Sequence, residues 1–232
     1  MNASLELKPV YLMIDFERSC MNAFKYHFPA IIITCCLFHL AQNFFKKLVE
    51  CGFKSQYGSN TDLKKWFKKV IALSLIPSSK VVDIFEELLL EMHDLFDLQG
   101  EYRELETFAD YVLVNYIGDN NTPLFPISMW NHYESDDRTN NAGEAYNLRV
   151  NNYFGTHPPI WIFIKKLKEE ESNTVLKFKR IENGTINRRG RNREDMEKDE
   201  KINKCKIKYL QNKININKYL EEISELIAPK FD

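Results

Sequence analysis

Two short runs of apolar, largely β-branched or aliphatic residues, VYLMID (10–15) and AIIITCC (30–36), constrain this chain more than any other feature. Each has strand length and composition, and each is followed by residues at helical spacing. After the first come Phe16, Cys20, Ala23, Phe24 and His27, with Pro29 as a stop. After the second come Leu40, Phe44, Leu48 and Val49 on one face, with Gly52 as a C-terminal signal. Strand, helix, strand, helix predicts a βαβ unit with two parallel strands. The first strand then ends on Asp15, at the rim where open α/β sheets bind ligands.

From residue 57 to 118 the period changes. DLKKWFKKVIALSLIP, KVVDIFEELLLEMHDLFD and EYRELETFADYVLVNYIG all carry helical spacing, broken only near Pro77 and Gly100. They predict a helical block inserted after the α/β portion. A proline-marked loop, DNNTPLFP, leads through ISMWNHYES to RTNNAGEAYN, and a helix is expected over 142–153. A further helix starts at THPPIWIF, with Pro158 and Pro159 in its first turn and Trp161, Ile164 and Leu167 as packing residues. NGTINRRGRNREDMEKDEK reads as a linker, and residues 209–231 as one more helix. The segments are therefore an α/β part (7–56), a helical insertion (57–120), a helical part carrying Glu144 (121–175) and a basic linker with a tail helix (176–232).

The chain has 232 residues, 44% of them hydrophobic, which is enough to build a core and excludes wholesale disorder. The net charge of −1 does not point to any class of partner, but the charge is unevenly distributed. Residues 177–213 hold 13 lysines and arginines against 6 acids, including Arg180, Arg188, Arg189, Arg191 and Arg193. Such a segment is either a solvated tail or a contact for a polyanion. Five cysteines without framework spacing read as reduced thiols. No apolar stretch is long enough to span a bilayer, and no signal peptide is visible, so a cytoplasmic or nuclear, unsecreted protein is expected.

Three constellations could carry chemistry. Asp15 is either a site carboxylate or the cap of the helix that DFER begins. Cys36 and His39, as C-x-x-H, are either two metal ligands or a buried thiol with a locally bonded histidine; structural zinc would need two more ligands, and none lies at a sensible spacing. Glu144 follows Asn141 by three residues, which fits a capping box. It also shares a helix face with Asn147, from which a carboxylate could reach a metal. Two-metal phosphodiester chemistry needs several bridging acids, and one Asp with one Glu is too few.

Taken in order, these pieces resemble the Mutator-like element (MULE) transposases, above all the group in animal genomes associated with FLYWCH-type zinc fingers. The likeness rests on LMIDFERSCMNAFKYHFPAIIITCCLFHLAQNFFKKLVECGF, on ALSLIP in the insertion, and on WNHYESDDRTNNAGEAYNLRVNNYFGTHPPIWIFIKKLKEEE. It spans about residues 7–172. The family pattern includes a strand ending in D-F-E, a C-x-F-H step into a helix with a Gln, and a W-N-x-Y segment. An R-T-N-N-x-x-E-x-x-N helix and an H-P-x-I-W helix follow, and all occur here in register.

The resemblance implies an α/β class, an incomplete RNase H-like fold with a mostly helical insertion and a helical, basic C-terminal tail. It implies metal-dependent DNA cleavage and strand transfer by three acids, with Mg²⁺ or Mn²⁺, in the nucleus. Asp15 matches the second acid and Glu144 the third; Cys36 and His39 match the C-x-x-H motif. Arg138, Asn140, Asn141 and Asn147 match the polar frame of the last acid. The family's first acid lies on a strand upstream of D-F-E, and none of the nine residues before Val10 is an aspartate. The expectation is thus a transposase remnant that binds the ions weakly and is inactive alone, with an uncovered sheet edge. A DNA-binding or interaction module derived from a transposase is the alternative, and self-association is left open.

Overall fold

The computed structural model describes residues 8–118, 121–135, 137–185 and 193–227, which fall into two compact units, 1–139 with 198–232, and 140–197. The described residues are mostly helical, with one two-stranded sheet. That sheet is the parallel pair the sequence predicts: β1 (Tyr11–Ile14) lies beside β2 (Ile32–Cys35) with Tyr11 opposite Ile32 and Ile14 opposite Cys35. The crossover is α1 (Arg18–His27), and α2 (Leu37–Glu50) leaves the end of β2. Leu40, Phe44 and Leu48 are all buried on the inner face of α2. Gly52 ends the helix at φ +90°, a backbone conformation in which a side chain would be strained.

A two-stranded parallel sheet has too little surface to stand alone. In the first unit it is carried by the helices that follow: α3 (Lys54–Ser59), α4 (Thr61–Ala72), α5 (Val81–Leu95) and α6 (Glu104–Val112). Asn60 caps α4, its side-chain oxygen accepting from the amides of Asp62 and Leu63. The core is strongly aromatic. Phe44 of α2, Trp66 and Phe67 of α4, and Phe108 of α6 are at most 1% exposed and meet through ring contacts of 5.7 to 6.3 Å between centroids. The Trp66 indole donates to the Leu88 carbonyl at 2.8 Å, so its one polar atom is satisfied.

After a π-helical turn (Leu113–Ile117), the short helix α7 (Ile127–Trp130) packs beside β2. The Trp130 indole donates to the Phe125 and Tyr116 carbonyls. The outer edge of β1 is uncovered among the described residues: Val10 is 60% and Tyr11 71% exposed.

The C-terminal region differs from its sequence reading. Helix α10 (Arg193–Leu210) takes in residues that composition marks as linker, and its Ile202 and Cys205 are buried. Helix α11 (Ile216–Ile227) packs along α4 and buries Tyr219, Leu220 and Ile223, while the Tyr219 hydroxyl donates to the Leu75 carbonyl at 2.9 Å. The last described helix is therefore part of the core. The linker reading fails because two apolar side chains a turn apart anchor an otherwise charged helix, and local pairs such as Arg193–Glu197 and Lys204–Glu200 favour its fold.

The second unit is a hairpin of α8 (Asn141–Phe154) and α9 (Ile160–Glu182). Arg149 bonds Glu170, Tyr153 bonds Glu169 and the Phe154 ring meets that of Phe163, a descending order that makes the helices antiparallel. Pro159 is the N-cap of α9, so the two prolines precede the helix instead of occupying its first turn. Trp161 and Leu167 are 79% and 50% exposed, so they do not act as the packing residues their spacing suggests.

Replacing Ile223 by alanine should lower the unfolding free energy by about 2–5 kcal/mol, as for other fully buried aliphatic residues. Leu210→Ala, at an exposed position of α10, should stay within about 0.5 kcal/mol. Urea titration followed by circular dichroism checks both.

Candidate functional site

Asp15 is the first residue after β1, and β1 ends beside the end of β2, from which α2 begins. The chain therefore brings the Asp15 carboxylate to the first turn of α2. His39 lies in that turn, and its Nδ1 is 2.9 Å from Asp15 Oδ1. The aspartate side chain is half exposed and the histidine ring mostly covered. Asp15 does not cap α1, whose N-cap is Glu17, so the cap reading of DFER is replaced by a carboxylate–imidazole pair at the strand rim.

The C-x-x-H motif is rearranged in the same way. Cys36 is fully buried as the N-cap residue of α2, while His39 turns to Asp15. Burial, reinforced by Cys36 and Asp15, pushes the neighbouring Cys35 thiol up to about 12, so it stays protonated and unreactive at neutral pH. All five cysteines are free thiols, as their spacing implies.

Glu144 lies in the first turns of α8, where its amide donates to the Asn140 carbonyl at 3.1 Å. The N-cap is Asn140, not Asn141, and Gly143 holds the position three residues inside the cap. The capping box thus fails by one residue. Asn141 and Asn147 are exposed on α8. Asp15 and His39 lie in the first unit and Glu144 in the second, and within the first unit Asp15 and His39 are two groups that could each offer a ligand atom to a metal ion.

Arg138 acts through its backbone as well as its charge. Its carbonyl accepts from the Leu37 amide at 2.8 Å, supplying a partner for an orphan donor at the start of α2, and its guanidinium pairs with Asp199. The loop before it is fixed by His132, which is 1% exposed and whose Nε2 donates to the Cys35 carbonyl at 2.8 Å. His132 thereby closes the edge of β2 that faces away from β1. Nothing in the sequence pattern marks His132, an isolated histidine; the neighbouring Asn131 helps to fix the same loop, its side chain donating to the Leu73 and Ile76 carbonyls.

Of the arginines expected to contact nucleic acid, Arg180 is exposed in the last turn of α9, and Arg193 begins α10 with its guanidinium 2.9 Å from Glu197. Arg188, Arg189 and Arg191 lie outside the described residues. No described helix is long and apolar enough to cross a membrane.

The chain matches no protein-family model, and comparisons with curated proteins and with solved structures give no similar protein.

Burial, aided by the nearby Arg138 charge, lowers the His132 pKa from its ordinary 6.5. The unfolded chain then binds the proton more readily, so the stability from neutral His132 is present above pH 6.5 and declines as pH falls below it. The melting temperature should drop between neutral and mildly acidic pH. His132→Gln, which keeps a donor for the Cys35 carbonyl but cannot titrate, should flatten that drop in a thermal scan.

Proposed function

We propose that this chain is the part of a MULE-type transposase catalytic domain that carries its second and third acids, in an incomplete RNase H-like fold. The Asp15–His39 pair at the end of a parallel strand carries the reading. A carboxylate there is where such sheets place ligand-binding groups. Glu144 is included because the resemblance matches it to the family's third acid.

The donor set fits a divalent cation, and its chemistry selects among them. Mg²⁺ prefers oxygen ligands throughout, whereas an imidazole suits a transition metal, so a carboxylate with His39 favours a transition ion, of which Mn²⁺ is the one that also suits carboxylates. A bound ion would supply a Lewis acid for a phosphoryl oxygen. Asp15 and His39 would hold the ion at the strand rim, and Arg138 would keep the start of α2 in place; the resemblance adds Glu144 as the family's third acid. Two carboxylates bind the ion weakly, and DNA strand transfer by this chain alone is not expected. DNA is the proposed partner and the nucleus the proposed location. The alternative, a transposase-derived module that holds DNA without cutting it, is favoured by exposed cationic residues such as Arg180.

Calorimetric titration with Mn²⁺ should show one saturable site in the wild type, weakened about tenfold or more in Asp15→Asn and in Glu144→Gln. Supercoiled plasmid should remain uncut with either ion. Equal Mn²⁺ binding by all three proteins would overturn the site, and Mn²⁺-dependent nicking lost in Glu144→Gln would overturn the inactivity.

A further inference from the structure

Beside Asp15 the first unit has an open cavity of about 250 Å³ whose lining the metal site does not use. One wall is a face of α2, formed by Asn43, Lys46, Lys47 and Glu50 at helical spacing. The opposite wall is aromatic. Phe16, the residue after Asp15, meets Phe125 edge-on at 4.9 Å and Tyr116 at 5.6 Å.

The π-helical turn at the end of α6 explains how this wall is built. Tyr111 and Tyr116 are five residues apart, which on an α-helix would point them well away from one another. A turn with i→i+5 bonding brings them to one side, and their hydroxyls are 3.2 Å apart. The Asn43 amide donates to the Tyr116 hydroxyl at 3.5 Å. Isolated π-turns are uncommon and concentrate at functional sites.

We propose that this cavity binds a single unstacked nucleobase of a nucleic-acid strand, with Lys46 contacting the adjoining phosphate. The inference rests on the nucleic-acid reading above and adds the subsite. Its volume lies just below the range of pockets for drug-sized ligands, which suits one heterocycle and not a whole duplex. The half-buried rings of Phe16 and Tyr111 offer stacking surface, while the Tyr111 hydroxyl and the Asn43 amide can meet a base edge; Tyr116 is buried behind them. Charge fits as well. Lys47 lies 4.0 Å from Glu50 and 5.5 Å from the Tyr111 ring centre, so the acid of the cavity is paired and Lys46 is its exposed cation.

A short single strand carrying 2-aminopurine, mixed with the full chain in EDTA, tests the proposal by fluorescence. Stacking should quench the probe, and a duplex carrying the same base should not be quenched. Lys46→Glu, at the surface, should weaken binding about tenfold with an unchanged melting temperature, and Phe16→Ala should remove the quench. Since Phe16 also packs on Phe125, the Lys46 variant keeps the test valid should Phe16→Ala unfold. Absent quenching, or equal binding by the Lys46→Glu protein, would overturn the subsite. Displacement by a mononucleotide at the strand's own affinity would also overturn it, since a free nucleotide would then be the occupant. Manganese binding is read separately: quenching without it sinks the metal reading alone, and manganese binding without quenching sinks the subsite alone.

Discussion

The parallel pairing of β1 with β2 is the constraint on which the site depends. It sets Ile14 against Cys35 and so delivers Asp15 to the first turn of α2, where His39 waits. The pair of strands is too small to hold that register unaided. Two contacts from the loop after α7 stabilise it: His132 donates to the Cys35 carbonyl, and the Arg138 carbonyl accepts from Leu37. Both fall within three residues of one strand end. The open edge of β1 lies on the other side.

The core explains how such a small sheet survives. Nearly all of the large buried side chains of the first unit belong to helices, and the aromatic cluster around Phe44, Trp66 and Phe108 ties α2 to α4 and α6. Helix α11 seals the far side of α4. The sheet is a rim on a helical body, and its chemistry sits where strand end, helix start and loop meet. The second unit has a different balance. Its helices are joined by a few polar pairs such as Arg149 with Glu170, and much of the apolar surface of α9 is exposed.

Local order was readable from the sequence because it depends on period. The two strands, their parallel relation, the α2 face of Leu40, Phe44 and Leu48, and the helical block all follow from spacing. Pairings between distant residues were not. His132 meets a carbonyl 97 residues away, and nothing near it in the sequence announces the contact. The C-x-x-H motif drew attention to His39, but local spacing offered Cys36 as its partner when folding supplies Asp15. Helix α10 reads as linker because charge dominates its composition, and α11 reads as a tail because only tertiary packing reveals α4 beside it.

The central proposal is that the His39 imidazole and the Asp15 carboxylate share one divalent ion at the strand rim. Pulsed electron paramagnetic resonance of bound Mn²⁺ reports directly on coordinated nitrogen. The wild-type chain should show nitrogen coupling that disappears in His39→Ala. A manganese signal without nitrogen coupling in the wild type, or coupling that persists in His39→Ala, would contradict the account.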